Sequence, residues 1–262
     1  MILTIDIGNT NTNLGVFDPK GALVFVSALE THRNKTRDQC AIELLSILRL
    51  YGHDAGEITG AILCSVVPPV TAVMASAVAK ITGAAPIILG PGVKTGLNIK
   101  TEIQTQLGAD MVAAAVAALK KYTAPIILIG MGTATTISLI SRKHAFEGCA
   151  IFPGVRIALE ALSQRSAQLP HISIDKPASV VGKNTIDSMC AGVVYGNAGM
   201  LDSMIERIEA ETESAATVVA TGGNARFILR YCHRYILYDA NITLEGLYQI
   251  YTKNADKNCK KS

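Results

Sequence analysis

The chain contains one short pattern twice, in which an apolar strand runs into a turn of glycine and polar residues and a second apolar strand leaves it. The first copy begins at Ile5 and the second at Ile129, an offset of 124 residues in a chain of 262. A repeat at about half the chain length is typical of a duplicated structural unit. We therefore expect two similar halves, an N-terminal domain over residues 1–121 and a C-terminal domain over residues 122–262.

Strand and helix patterns alternate along both halves, which predicts the α/β class. The predicted strands are residues 2–5, 14–17, 22–28, 61–66, 86–89, 126–129, 137–140, 145–151 and 218–220. The predicted helices are residues 37–51, 70–81, 108–121, 153–165, 184–209, 225–231 and 244–251. We expect Pro153 in the first turn of its helix. We also expect close packing at Gly192 and Gly196, which are four residues apart.

Composition excludes other classes of protein. Apolar residues make up 49% of the chain and charged residues 17%, so the chain is not intrinsically disordered. The net charge is only +3 and the basic residues cluster in one place, so we expect no nucleic-acid-binding surface. That cluster, which we interpret as a solvated terminus, consists of Lys253, Lys257, Lys260 and Lys261.

Two uncharged runs, Ile58–Ala79 and Tyr122–Ser141, approach the roughly 20 residues that a membrane-spanning helix needs. Prolines and glycines interrupt both runs, so each predicts several short buried elements and no membrane span. The first residues lack the basic flank of a signal peptide. The six cysteines and five histidines show no metal-ligand spacing, so we expect buried free thiols, no structural metal site and a cytoplasmic protein.

The first turn has the composition of a phosphate-binding loop. Glycine lets the backbone approach an anion, successive N–H groups and polar side chains can donate to phosphate oxygens, and an acid at the strand end can hold Mg²⁺. The alternative is an asparagine-rich β-hairpin turn, where these residue types serve the turn conformation. The residues concerned are Asp6, Ile7, Gly8, Asn9, Thr10, Asn11, Thr12 and Asn13, with Asp6 as the acid.

Two further sites carry both a functional and a structural interpretation. Asp110 begins an otherwise apolar helix, so it is either a general base that accepts a proton from a substrate hydroxyl or an acid that complements the helix N-terminus. Residues 221–223, Thr-Gly-Gly, either let the backbone approach a nucleotide or form a plain strand-to-helix turn. The P-loop, Rossmann and nucleophile-elbow signatures are absent from the sequence.

Taken together, these blocks resemble the type III pantothenate kinases, which belong to the superfamily of acetate and sugar kinases, actin and heat-shock chaperones. The resemblance runs over nearly the whole chain and depends on the order and spacing of the blocks. They are residues 6–12, 65–68, 90–97, 108–110, 132–136, 153–154, 182–185, 221–223 and 243–247.

The resemblance implies two ribonuclease-H-like domains with ATP in a cleft between them, and a homodimer whose interface completes the pantothenate site. It implies that Asp6–Asn13 and Thr133 contact the ATP phosphates, with Mg²⁺ at Asp6. Asp110 would deprotonate the pantothenate hydroxyl, and a monovalent cation, K⁺ or NH₄⁺, is expected as well. The implied substrate-binding residues are Gly108, Ala109, Asp110, Met111 and, from the partner subunit, Thr185.

The chain departs from the family's pattern at three ligand positions. Where the family has arginine after the catalytic acid, this chain has Met111, which cannot bind a carboxylate through two parallel hydrogen bonds. Gly130 stands where the family has an aspartate that helps to hold the monovalent cation. Thr101 stands in place of a tyrosine in the substrate region.

Two hypotheses of function remain open. In the first, the chain is an ATP-dependent pantothenate kinase in which Lys100 or Arg156 supplies the missing contact to the carboxylate. In the second, it is a non-catalytic paralogue that acts as a regulatory accessory protein. The retention of Asp6, Asp110 and Thr185 favours the first hypothesis. Met111 and Gly130 favour the second.

Overall fold

The first of two β-sheets is built around the strand that carries Asp6. In the computed structural model, which describes residues 1–103 and 107–255, this sheet has the strand order β3-β2-β1-β4-β5. Strands β1 to β3 are antiparallel, and β4 and β5 run parallel to β1. The strands are β1 (Ile2–Ile7), β2 (Asn11–Phe17), β3 (Leu23–Glu30), β4 (Gly60–Ser65) and β5 (Ile87–Ile88).

Helices cover both faces of this sheet. One face packs against α1 (Arg37–Leu50) and α2 (Pro68–Thr82), and the other against α3 (Ala109–Lys121) and α7 (Ile242–Ala255). Alternation of side chains along β1 decides which residue faces which pair. Ile5 and Ile7 are fully buried in the core with α1 and α2, so Asp6 between them points to the opposite face, where α3 begins.

The second sheet repeats the strand order of the first. Its order is β11-β10-β7-β8-β9-β6, so β9-β8-β7-β10-β11 corresponds to β3-β2-β1-β4-β5, with β6 added at one edge. The predicted α/β class with two similar halves is therefore confirmed. The strands are β6 (Asn98–Ile99), β7 (Ile126–Met131), β8 (Ala134–Ile140), β9 (Ala145–Pro153), β10 (Thr217–Thr221) and β11 (Leu237–Tyr238). The helices that follow them are α4 (Val155–Arg165), α5 (Thr185–Glu211) and α6 (Ala225–Ile228).

The chain forms two compact units, and their boundaries differ from the predicted single boundary after residue 121. Among the described residues, unit 1 contains residues 1–97, 102–120 and those from 241 onward, whereas unit 2 contains residues 98–101 and 121–240. The last helix returns to unit 1 because its apolar side chains Leu247 and Ile250 are buried against Ile62 and Cys64 of β4. Residues 98–101 join unit 2 because β6 pairs with β9.

Two local expectations about helices were wrong. Pro153 ends β9, and Gly154 is the N-cap of a helix that begins at Val155. Close packing was expected at Gly192 and Gly196, but a Cβ atom at either position would meet no described atom within 4 Å. Both glycines lie on an exposed face of α5.

The sequence also led to expectations about membrane-spanning helices and about cysteines. None of the helices in the described ranges has the length and apolar character needed to cross a membrane. Cys40, Cys64 and Cys190 are buried free thiols, as expected, whereas Cys149 is exposed, so that expectation was wrong there. Cys259 and the lysines at 257, 260 and 261 lie outside the described residues.

Replacing Gly246 with alanine is expected to destabilise unit 1. A Cβ atom at Gly246 would lie 2.5 Å from the carbonyl carbon of Ala113 and closer still to its oxygen, and backbone atoms cannot move aside as a side chain can. We expect a loss of about 3 kcal/mol in the free energy of unfolding, measured by urea denaturation. Gly56→Ala is the matched control because a Cβ there meets nothing within 4 Å. Equal stability of the two variants would contradict the tight packing of α7 on α3.

Candidate active site

The first predicted loop is a tight β-hairpin. Because β1 extends to Ile7 and β2 begins at Asn11, only Gly8, Asn9 and Thr10 lie outside the strands, and the Gly8 N–H donates to the carbonyl oxygen of Asn11 at 2.9 Å. The hairpin interpretation is therefore correct for the backbone. A hairpin can still present backbone and side-chain donors to an anion, so phosphate binding here stays a prediction.

Not every residue of this hairpin can offer its side chain to a ligand. Ile7 is fully buried, and the buried Thr12 places its hydroxyl oxygen 2.9 Å from that of Thr31. The exposed side chains are those of Asn9, Thr10 and Asn11. They are therefore the members of the predicted site that a solvent-borne anion can reach directly.

Asp6 lies in a row of polar side chains that crosses three strands. The row consists of Asn13, Asp6 and Cys64, and we call it the Asp6 row. Asp6 pairs with Asn13 on β2 and with Cys64 on β4. The Asn13 amide donates to Asp6 Oδ2 at 3.4 Å, and the Cys64 thiol donates to Oδ1 at 3.3 Å. Cys64 was not among the predicted site residues, because its position beside Asp6 depends on strand pairing.

The carboxylate of Asp6 is held in an unfavourable electrostatic environment. Burial, together with the negative charge of Asp110, raises the pKa of Asp6 from 3.8 to about 6, although the two donated hydrogen bonds oppose this rise. In the described residues, no lysine, arginine or histidine forms an ion pair with either acid. The site therefore carries uncompensated negative charge, which favours binding of a cation.

Asp110 occupies the first turn of α3, as predicted. Burial raises the pKa of Asp110, and hydrogen bonds from its own backbone N–H and that of Met111 partly offset this rise. Asp110 therefore accepts backbone donors at a helix N-terminus, as the structural interpretation predicts, and its charge reaches Asp6, while its role as a general base stays a prediction. Gly108 has a steric role, because a Cβ there would lie 2.5 Å from Asp110 Oδ1.

The second hairpin, which joins β7 to β8, is contacted by the backbone of two other segments. A Cβ at Gly154 would collide with the carbonyl oxygen of Thr133, whose carbonyl also accepts the Gly154 N–H at 3.1 Å. Gly222 follows β10 with a positive φ of 103°, and its Cβ would lie 2.5 Å from the carbonyl oxygen of Met131. Glycine is therefore required at both positions, and the 221–223 block is a turn that packs directly on the second hairpin.

On the second sheet, the row that corresponds to the Asp6 row contains no acid. Gly130 pairs with Thr136 on β8 and with Thr221 on β10. We call Thr136, Gly130 and Thr221 the Gly130 row. The second hairpin is one residue shorter, because Met131 pairs with Thr135 whereas Ile7 pairs with Thr12.

The remaining predicted residues lie in unit 2. Thr185 is exposed at the start of α5, where Asn184 caps the helix by accepting the Asp187 N–H at 2.9 Å. Lys100 forms an ion pair with Glu147 at 3.2 Å, so its charge is already engaged. Arg156 is exposed on α4 and carries no ion pair among those of the described residues.

Unit 2 also contains a cavity that sequence reasoning missed. It has a volume of about 510 Å³ and lies between α4, residues 171–174 and the start of α6. Its lining includes Arg156, Glu160, His171 and the Gly223-Asn224 turn. The only sequence signal was the glycine pair at 222–223, since the other lining residues come from distant segments.

Comparisons with known proteins agree with this architecture. A sequence profile of the type III pantothenate kinase family matches residues 2–207. A type III pantothenate kinase from Bacillus cytotoxicus is 41% identical over 255 residues, which cover 97% of each chain. One from Halalkalibacterium halodurans is 43% identical over 254 residues, covering 97% of this chain and all of the relative.

A solved structure supports the fold separately. The activator of 2-hydroxyisocaproyl-CoA dehydratase from Clostridium difficile, with bound ADPNP, superimposes with a TM-score of 0.59. The superposition covers 100% of this chain and 97% of that one at 12% sequence identity, so it bears on the fold alone. Fold, order of motifs and overall identity agree, and this chain belongs to the type III pantothenate kinase family.

Proposed function

We propose that the protein transfers the γ-phosphoryl group of ATP to the hydroxyl of pantothenate, the first step of coenzyme A biosynthesis. The observation that carries this proposal is the convergence of two carboxylates, Asp6 and Asp110, which no cationic side chain of the described residues compensates. Phosphoryl transfer needs positioning, charge neutralisation and a group that accepts the proton of the nucleophile. The two acids divide these tasks between them.

Asp110 is the proposed general base. A carboxylate oxygen of Asp110 accepts the proton of the acceptor hydroxyl as that oxygen attacks phosphorus. Burial raises the pKa of Asp110, which makes its carboxylate a stronger base. The hydrogen bonds from the backbone N–H groups of residues 110 and 111 hold the side chain at the helix terminus.

Asp6 is the proposed ligand of Mg²⁺. The donor set fits this ion, because Mg²⁺ prefers carboxylate oxygens and the charge of Asp6 has no cationic partner in the described residues. When bound, Mg²⁺ supplies positive charge that neutralises the β- and γ-phosphates. Asn13 and Cys64 orient the carboxylate of Asp6 through their hydrogen bonds.

The two hairpins are the proposed phosphate contacts. On the first hairpin, residues 6–13, the exposed Asn9, Thr10 and Asn11 can donate directly to phosphate oxygens. On the second, Thr133 is the proposed contact, in a turn that Gly154 and Gly222 hold from outside.

The acceptor is proposed to bind beside α3. Gly108, Ala109 and Met111 flank Asp110, and Thr185 is proposed to reach pantothenate from the partner subunit of a homodimer in the cytoplasm. Met111 is partly buried and carries no charge, so this helix offers no guanidinium to the carboxylate of pantothenate.

The experiment is an assay of ATP-dependent phosphorylation with purified protein. Pantothenate is compared with pantetheine, a neutral analogue that keeps the hydroxyl and lacks the carboxylate. We expect turnover of pantothenate that requires Mg²⁺. A folded protein that turns over neither acceptor would contradict the proposal and favour the non-catalytic accessory protein.

A further inference from the structure

The family resemblance implies an aspartate at the position of Gly130 that helps to hold a monovalent cation, and in this chain the Gly130 row is neutral. Its three members, Thr136, Gly130 and Thr221, lie side by side on one face of the second sheet, as their pairing shows. The Asp6 row of the first sheet has a carboxylate at the corresponding central position. One sheet therefore offers a charged ligand at this position and the other does not.

The space of a side chain at position 130 is already occupied. A Cβ built on Gly130 would lie 2.8 Å from the hydroxyl oxygen of Thr136. That distance is shorter than ordinary contact between a carbon and an oxygen, so Thr136 fills the volume next to the glycine. The hydroxyl of Thr136 therefore occupies the space into which an acidic side chain at position 130 would project.

The hydroxyls that remain are weak ligands for a monovalent cation. Removing K⁺ from water is costly unless several oxygen ligands replace its hydration shell, and the side chains of the Gly130 row offer only the two hydroxyl oxygens of Thr136 and Thr221. Asp239, which follows β11 in this sheet, accepts from the Lys121 ammonium and the Tyr122 hydroxyl, so its charge is compensated.

The same hydroxyls suit an anion. Neither the Thr136 nor the Thr221 side chain has a hydrogen-bond partner within the described protein, and both residues are partly exposed. A hydroxyl can donate to a phosphate oxygen directly. Two available donors in a neutral row can therefore contact phosphate without an intervening cation.

We propose that this chain binds ATP and transfers its phosphoryl group without a monovalent cation, because the Gly130 row binds phosphate through hydroxyls at the position where the family resemblance implies a cation. This inference rests on the proposed function for the identity of the nucleotide.

The test compares KCl, NH₄Cl and choline chloride at equal ionic strength, because total salt also screens charge. The affinity of the protein for Mg·ATP is measured by calorimetry, and turnover of pantothenate is measured in parallel. We expect the dissociation constant to change by less than about twofold among the three salts. Affinity or turnover that rises about tenfold in KCl or NH₄Cl over choline chloride would overturn the inference.

A gain of cation response provides the complementary test. The double variant G130D/T136A supplies the acid and removes the hydroxyl that would obstruct it. We expect it to bind Mg·ATP about tenfold more tightly in KCl than in choline chloride. The matched control, G130N/T136A, has the same shape without the charge and is expected to respond to KCl no more than the natural protein does.

These measurements separate the inference from the proposed function. Absence of turnover in all three salts would contradict the kinase proposal, while the calorimetric comparison would still decide whether a monovalent cation assists ATP. Thermal unfolding in choline chloride shows whether each variant is folded. A folded G130D/T136A that does not respond to KCl would overturn the role assigned to position 130.

Discussion

Asp110→Asn is expected to lower kcat for pantothenate phosphorylation by roughly 10²- to 10⁴-fold, the range for loss of a general base. Asparagine keeps the size and the helix-terminal hydrogen bonding of aspartate but cannot accept the proton of the acceptor hydroxyl. Because the substrate contacts stay in place, we expect the KM for pantothenate to change little. The measurement is a steady-state assay with saturating Mg·ATP.

The control for this prediction is another acid in the first turn of a helix. Asp38 occupies that position in α1 of the same unit, is exposed, and forms ion pairs with Arg37 and Lys80. Asp38→Asn is expected to leave turnover unchanged. If Asp110→Asn also leaves turnover unchanged, Asp110 serves only the helix terminus and is not the base.

Asp6→Asn is expected to abolish Mg²⁺-dependent turnover and yet to stabilise the free protein. Folding raises the pKa of Asp6 from 3.8 to about 6, so between these values the folded state binds more protons than the unfolded state. Stability therefore falls as the pH rises through this window, and above about pH 6 the full cost of the buried charge is present. A rise of this size in pKa lowers the free energy of unfolding by about 3 kcal/mol at neutral pH. Asparagine carries no charge and so does not have this cost.

The measurement is urea denaturation of both proteins without ligands. At neutral pH, Asp6→Asn is expected to unfold at a higher urea concentration than the natural protein. The slope of the free energy of unfolding against urea concentration should be the same for both proteins. The difference should shrink toward zero as the pH falls to the ordinary aspartate pKa of 3.8. A variant that is less stable at neutral pH would show that the carboxylate stabilises the free protein and would contradict the environment described for Asp6.

Much of the local structure could be predicted because its causes are local. Helix α1 begins where Thr36 and Gln39 form a capping box, and α2 begins at Pro68, whose missing N–H costs nothing in a first turn. The two-residue strands β6 and β11 were missed, whereas the equally short β5 lies within the predicted strand 86–89. The last helix was predicted, but its return to the first unit was not.

For the candidate site, the sequence suggested candidate residues but not their arrangement. Asp6 at a strand end and Asp110 at a helix start were both recognised as candidates, on grounds of position and residue type. Their electrostatic coupling was not predictable, because it depends on how α3 packs on the face of the sheet from which Asp6 projects. The contact from Cys64 was missed for the same reason, since it follows from the parallel pairing of β1 and β4.

By itself, the sequence determined the class of fold, the repeat of a strand, turn and strand, and the acids that can carry chemistry. These features follow from side-chain periodicity, turn preferences and residue type, which act over a few neighbouring residues. Only the tertiary structure decided that Asp6 has no cationic partner in the described residues and that Thr136 fills the space beside Gly130. Those outcomes depend on strand register and on packing between distant segments, where many weak interactions act together.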